Sequence, residues 1–418
     1  MILTHEIRKI IKMPIIVSLI IFFLTLNILL IVSNSDQNNE LNVVTDLVNK
    51  YGYVINDEML QKWTNDYQEI ITWVNQIAPN KEKEYKHPSE LLEDNFNQIH
   101  EKLSREEIEQ LVLYSQIESY LRTSTEIDAA YEEINLKGYA DSVIHMYGLK
   151  GTSKEAIQNQ YEKLHIRLGE LTDHNEHKNL FFMGTVHEMH SLLFKDIGRA
   201  LVFELMILVV LITASITNYE FEHRTALVSY TSKRGRKLVV NKFLAALFIN
   251  TCTTVLIVGI TLWAYFSTFN YSGLWKVSIS NYFNTEMKLP YISWWELSFV
   301  EYLLLSMLLL FLVQIIFMSF SFVFSIYLKN TYLVFFLFAA LVGIGILLPS
   351  LVPLTSELPF ILNCNPFTFI LNPHEWMMGN GHFTIYKFYE AITLGVWIVL
   401  LGSFSIFSVY KFRKQELM

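Results

Sequence analysis

Apolar residues gather along this chain into six long runs, at residues 14–32, 200–217, 243–266, 302–327, 331–348 and 391–410. Each comes near or exceeds the roughly 20 residues a helix needs to cross a hydrocarbon layer. In lipid every backbone polar group must be paired inside its own segment, which predicts helices. The runs are continuous rather than alternating, which excludes a β-barrel. The expected fold is an all-α membrane protein with six transmembrane helices.

Between the first and second runs the pattern changes to amphipathic. Met59, Leu60, Trp63, Tyr67, Ile70, Ile71 and Val74 recur at near-helical spacing and predict a helix from Asn56, closed by Pro79. A second helix is expected over 89–103. Ser104 with Glu107 three residues on reads as a capping box opening a third, running to about residue 134 before Gly138. A fourth is expected over 154–171. The organisation predicted is therefore 1–33 as an interfacial helix and first span, 34–197 as a helical domain, and 198–418 as the remaining five spans. Ahead of the first span, Leu3, Ile7, Ile10 and Ile11 share one face and Glu6, Arg8, Lys9 and Lys12 the other. That pattern suits a short helix lying in the membrane interface or a plain extension of the span, and both stay open. The 19-residue length of the first run, with no Ala-x-Ala after it, argues against a cleaved signal peptide.

Charge sets the orientation. Arg8, Lys9, Lys12, Arg224, Lys233, Arg234, Arg236, Lys237, Lys242, Lys329, Lys411, Arg413 and Lys414 all flank the runs on one side, against Lys276, Lys288 and Lys387 in the shorter loops of the other. Positive flanks stay in the cytoplasm, so both termini are predicted inside and the 34–197 block outside. That block carries 29 acidic against 15 basic residues, in a chain that is 52% hydrophobic, 17% charged and −8 overall. An acidic polar part excludes a nucleic-acid binder. The two cysteines, Cys252 and Cys364, lie outside the block and allow no disulfide framework or cysteine zinc site there.

Candidate chemistry is sparse. His174, His177, His187, Glu188 and His190 invite a metal reading. But His-Glu-Met-His is one residue short of the zinc-protease spacing that puts both imidazoles on one helix face, and no third ligand is indicated, so ordinary surface or interfacial histidines are expected. Glu204 is the main charge within a span; it is expected about one turn inside the outer edge, paired with Arg199 or snorkelling. With Asn27 and Gln314 it forms a possible intramembrane polar set, expected to join helices rather than bind substrate. Trp275, Trp294 and Trp295 read as an aromatic belt. The chain has no Walker phosphate loop, no Gly-x-Ser-x-Gly and no kinase signature.

The informative stretch is 218–242. Glu220 and Glu222 come first, then Arg224-Thr225, an apolar half-helix with Leu227-Val228 and Tyr230, and a basic cluster including Arg234 and Arg236. Lys242 then opens the third span. Charge flanking alone accounts for the basic cluster but not for the two acids or the apolar run. This pattern resembles the cytoplasmic segment after the second span in permease subunits of ABC-2 type (type V) transporters, save for Lys233 where the family often has Pro. The resemblance implies a coupling helix built from Glu220, Glu222, Arg224, Thr225, Leu227, Arg234, Arg236 and Lys242. It also implies a separate cytosolic ABC ATPase that binds the ATP and magnesium, a second permease subunit, and an outer loop, 349–387, whose short helices re-enter the membrane. The function it implies is ATP-driven export; the substrate does not carry over from the resemblance. Peptides or amphipathic compounds, exported or resisted, stand beside it as an expectation, as does a bacterial cytoplasmic membrane, toward which the abundant Ile, Asn and Lys point. Two other readings remain at this point: a sensor or scaffold with a ligand-binding outer domain, and an ion-coupled transporter centred on Glu204.

Overall fold

The apolar runs all form helices in the computed structural model, which describes residues 9, 13–94, 102–183, 190–230, 235–286 and 289–414. The first span is α1 (Pro14–Ser33). Among the described residues, six α-helices follow before the second span: α2 (Asn38–Tyr51), α3 (Asp57–Ile77), α4 (Pro88–Asp94), α5 (Arg105–Glu132), α6 (Leu136–Tyr147) and α7 (Thr152–Asp173). The second span enters through a π-helical turn, Ser191–Ile197, and continues as α8 (Gly198–Glu222). A five-residue helix, α9 (Ala226–Tyr230), leads to the third span, α10 (Leu238–Thr268). The remaining spans are α11 (Phe299–Leu328), α12 (Thr331–Leu351) and α14 (Tyr389–Lys414), with the short α13 (Leu358–Asn363) between the last two. All six spans are long and apolar enough to cross a membrane. The described strands are a two-residue hairpin, β1 (Thr285–Glu286) antiparallel to β2 (Leu289–Pro290).

Local chemistry explains most boundaries. Pro14 occupies the first turn of α1, where its missing N–H costs nothing. Asn56 caps α3 by accepting the Met59 amide, and Ser104 and Glu107 form the expected capping box of α5. α12 does not stop before Pro349 as the pattern suggests; it runs through to Leu351. Proline cannot donate to the carbonyl four residues back, and here the Asn365 side-chain amide supplies that bond to Gly345 O at 3.1 Å. α5 ends at Glu132, ahead of Gly138 as expected, and Gly138 then lies in the first turn of a further helix: its N–H goes to the Asn135 side chain, which caps α6. α2 and α6 are elements the periodicity left out. Of the helix expected over 89–103, α4 covers the first part and residues 95–101 lie outside the described set, as does the leading segment 1–12 apart from Lys9.

One core runs from the span bundle into the domain between α1 and α8, joining Leu41, Val44, Trp63, Phe181 and Phe182 to Leu205, Tyr265 and Phe299. A second core packs α6 and α7 (Ile157, Leu164, Leu171) on Ile292, Trp294, Phe360 and Ile385 from the loops after the third and fifth spans. Trp294 is thus buried and not part of a surface belt, whereas Trp275 is partly exposed against Phe266 and Phe299. The loop after α12 folds back on the spans, where Phe367 stacks on Phe317 at 5.8 Å and meets Phe338 edge-on. The bundle therefore has a domain end, covered by α2–α7, and an opposite end bearing the 218–242 turn.

Candidate functional site

The 218–242 turn is built on a helix stop. Thr225 N donates to Glu220 O at 2.9 Å and Arg224 N to Phe221 O at 3.2 Å, a Schellman arrangement with Arg224 at the left-handed position, φ 56°. Glycine is the usual occupant there; an L side chain costs about 1–2 kcal/mol in that region. The chain reverses at this point and α9 lies across the end of the bundle. Its inner residue, Tyr230, is buried against Phe221 (5.6 Å, stacked) and Phe412 (5.3 Å, edge-on), beside Val239, Phe322 and Ile326. Its outer residues, Leu227 and Val228, are 58% and 84% exposed. Gly235 closes the return: any Cβ there would collide with the Ser229 carbonyl.

The acids hold the turn from beneath. Glu220 and Lys242 are both buried and form a direct ion pair. Lys242 Nζ also donates to Ile216 O (2.8 Å) and Thr217 O (2.9 Å), so a third-span ammonium sits on the last turns of α8. Lys9 donates to the other Glu220 oxygen at 2.9 Å and stands 4.3 Å above the Tyr219 ring, bringing the segment ahead of α1 to the same place. Glu222 accepts the Thr331 amide at 2.7 Å. A carboxylate at that helix start meets the positive end of the α12 dipole. The second, third and fifth spans, with the segment ahead of the first, thus converge on the root of α9.

Of the residues expected here, Glu220, Glu222, Arg224, Thr225, Leu227 and Lys242 come together. Arg236 contributes its backbone to a 3₁₀ turn, Gly235–Lys237, its side chain lying outside the described set, as all of Arg234 does. Sequence reasoning missed Phe412 and Thr331. The signal for the first was an aromatic residue placed among Lys411, Arg413 and Lys414; for the second there was none.

The intramembrane set divides. Asn27 donates to Glu204 at 2.9 Å and to Thr261 at 3.2 Å, tying α1, α8 and α10 together with Asn27 and Glu204 buried. Glu204 is not one turn from the helix end: α8 and its π turn begin at Ser191, and Arg199 bonds Leu371 O instead. Gln314 faces the Val202 carbonyl at 3.4 Å. The histidines also separate. His174 is exposed beside Glu296, while buried His177 bonds Asp128 at 3.1 Å, and burial holds its imidazole below the usual range. Buried His190 lies against Tyr291 and bonds His374 O, and His187 and Glu188 lie outside the described residues. His174, Glu176 and Glu296 do approach one another, but Glu176 is held bidentately by buried Arg167, at 2.7 and 2.8 Å.

Residues 1–417 match a family described as ABC-2 family transporter protein. The chain belongs to the ABC-2 transporter family. Neither the curated proteins nor the solved structures contain a match to it. As an ABC-2 protein it is a multi-pass membrane component of an ABC transporter, the translocation part and not the ATPase, with which it is partnered.

Proposed function

We propose that this ABC-2 protein is the permease half of an ATP-driven exporter in a bacterial cytoplasmic membrane, with α9 as the helix that docks on a separate cytosolic ABC ATPase. The reading is carried by the apolar pair Leu227-Val228, displayed outward on a helix whose opposite face is fixed by Tyr230 and whose root is fixed by Glu220 and Lys242. An exposed apolar pair on a rigid, charge-flanked turn is costly in water and is suited to a partner's groove. The basic flanks support placing this end in the cytoplasm, both termini with it, and the α2–α7 domain outside. ATP and magnesium belong to the partner ATPase, and a second permease subunit completes the pathway. Displacement of α9 by the ATPase would act on spans two, three and five together, and on the segment ahead of span one, because residues from all of them meet at its root.

The experiment is co-purification with a cytosolic ABC ATPase from the same cells, together with its turnover. Leu227→Asp/Val228→Asp is expected to lose the complex, and charge reversal at Arg224 and Arg236 to reduce ATPase stimulation, with the spans still folded. Full stimulation in both variants overturns the docking assignment.

A further inference from the structure

Between α6, the loop after α12 and the foot of α14 lies a cavity of about 190 Å³. A pocket of about 150 Å³ takes a benzene-sized ligand, so this one admits a single small group rather than a whole drug-sized molecule. Two carboxylates line it, Glu375 and Glu390, and no lysine or arginine does. Glu390 is buried; one of its oxygens accepts the Met377 amide at 2.6 Å, and it has no cationic partner among the described residues. A buried carboxylate is ordinarily matched by a positive charge. The nearby His382 does not provide one, since burial pushes its imidazole below the usual range. The walls are aromatic, formed by Tyr147, Phe369, Trp376 and Tyr389. Aromatic side chains beside a carboxylate are the kind of lining that stabilises an organic cation by charge and, where a ring presents its face, by quadrupole. Among the described residues, two buried nitrogens of lining residues have no hydrogen-bond partner: Nε1 of Trp376, a donor on a residue only 4% exposed, and Nδ1 of His382, donor or acceptor according to tautomer. In a folded protein such groups are expected to be bonded, to water or to an occupant, so an occupant that displaces the water must offer the Trp376 N–H an acceptor oxygen.

We infer that this cavity binds the alkylammonium or guanidinium side chain of a basic residue presented by a peptide, with Glu375 and Glu390 as counter-charges, the rings as walls, and a peptide carbonyl taking the Trp376 N–H. The inference leans on the transporter reading only for what the bound peptide is doing there. It accounts for the aromatic walls and the uncompensated Glu390 together; water would satisfy the orphaned polar atoms but supplies no counter-charge.

The test is equilibrium dialysis of N-acetyl-lysine methylamide and N-acetyl-arginine methylamide against the full chain in lipid nanodiscs, with no ATPase or nucleotide present. Saturable binding is expected, at least tenfold weaker for the norleucine analogue and tenfold weaker in Glu390→Gln. Glu375→Gln provides a second variant should loss of Glu390 disturb the Met377 contact, and Trp376→Phe is expected to weaken the acetyl-lysine probe without altering the unfolding temperature. Equal binding of the norleucine analogue, or unchanged affinity in both carboxylate variants, overturns the proposal. So does binding of spermidine, which carries no carbonyl, in preference to the acetylated probes. Loss of ATPase docking with probe binding intact counts against the exporter reading alone, and the converse counts against the cavity alone.

Discussion

Replacing Lys242 with Met removes the cation beneath α9 while keeping the length of the side chain. The Ile216 and Thr217 carbonyls lose a second bond, but each sits inside α8 and keeps its helical partner, so little of the cost arises there. The cost arises at Glu220, which stays buried with Lys9 as its remaining cation. Removing one partner of a buried pair costs about 3–5 kcal/mol, and the surviving Lys9 contact places this case near 3 kcal/mol. That corresponds to roughly a hundredfold rise in the open population of the α8 foot. Glu220→Gln added to Lys242→Met removes the stranded charge, so the double variant should be less destabilised than the sum of the singles by about 1–3 kcal/mol. Hydrogen exchange of the amides over 216–222 and 239–245 measures the opening locally, without requiring reversible unfolding of the whole chain. Exchange in Lys242→Met at the wild-type rate would refute the reasoning, as would strict additivity, because either result means that the two charges are not holding one another.

Asn27→Leu should destabilise the bundle by about 1–3 kcal/mol, since it leaves Glu204 buried without its amide donor, whereas Glu204→Gln keeps a bond to Asn27 and should be nearly silent. Thermal unfolding in detergent compares the two, and loss of transport in Glu204→Gln with normal stability would instead revive the ion-coupled reading. For pH, burial of His177 outweighs its contact with Asp128, so its folded pKa lies below the unfolded value near 6.5. The unfolded chain then binds the extra proton: this stability is fully present above pH 6.5 and falls as pH drops through it. His177→Gln should flatten the slope in a melting series from pH 8 to 5, with Asp128 and Lys178 as the facing charges.

The spans were legible because lipid imposes a constraint that needs no partner: length and apolarity suffice. Their ends were less so. The second span was expected from residue 200, but Lys195, Asp196 and Arg199 are helical too, since an apolar run marks only the lipid-crossing part of a helix and not its whole length. In the domain, strong local signals such as Asn56 and the Ser104–Glu107 box transferred directly to the structure. Pro349 misled because the carbonyl it leaves without a donor is bonded by the distant Asn365 amide, and α6 was missed because its start is set by the Asn135 cap rather than by periodicity. At the turn, the Glu220, Glu222 and Lys242 positions were readable from the alternation of acid, apolar run and base. That Glu222 would take the Thr331 amide depends on helix packing across 109 residues of chain and left no local trace.

The placement of α8 gives the two ends of the molecule a mechanical relation. With its π turn this span is 32 residues long, roughly 48 Å at helical rise. At the domain end His190 bonds His374 O and Arg199 bonds Leu371 O, so the span is tied to the loop that forms one wall of the organic-cation cavity. At the other end Lys242 and Glu222 tie it to α10 and α12 beside α9. The midsection is closely buried, with Leu205, Leu208, Val209 and Ile212 inaccessible to solvent, so it cannot absorb a displacement by bending without opening cavities among close-packed side chains. A push on α9 must therefore either move α8 as a body, carrying residues 371–374 with it, or break the bonds at one end. That choice distinguishes a coupled transporter from an uncoupled one, and it rests on a handful of hydrogen bonds whose loss can be measured singly.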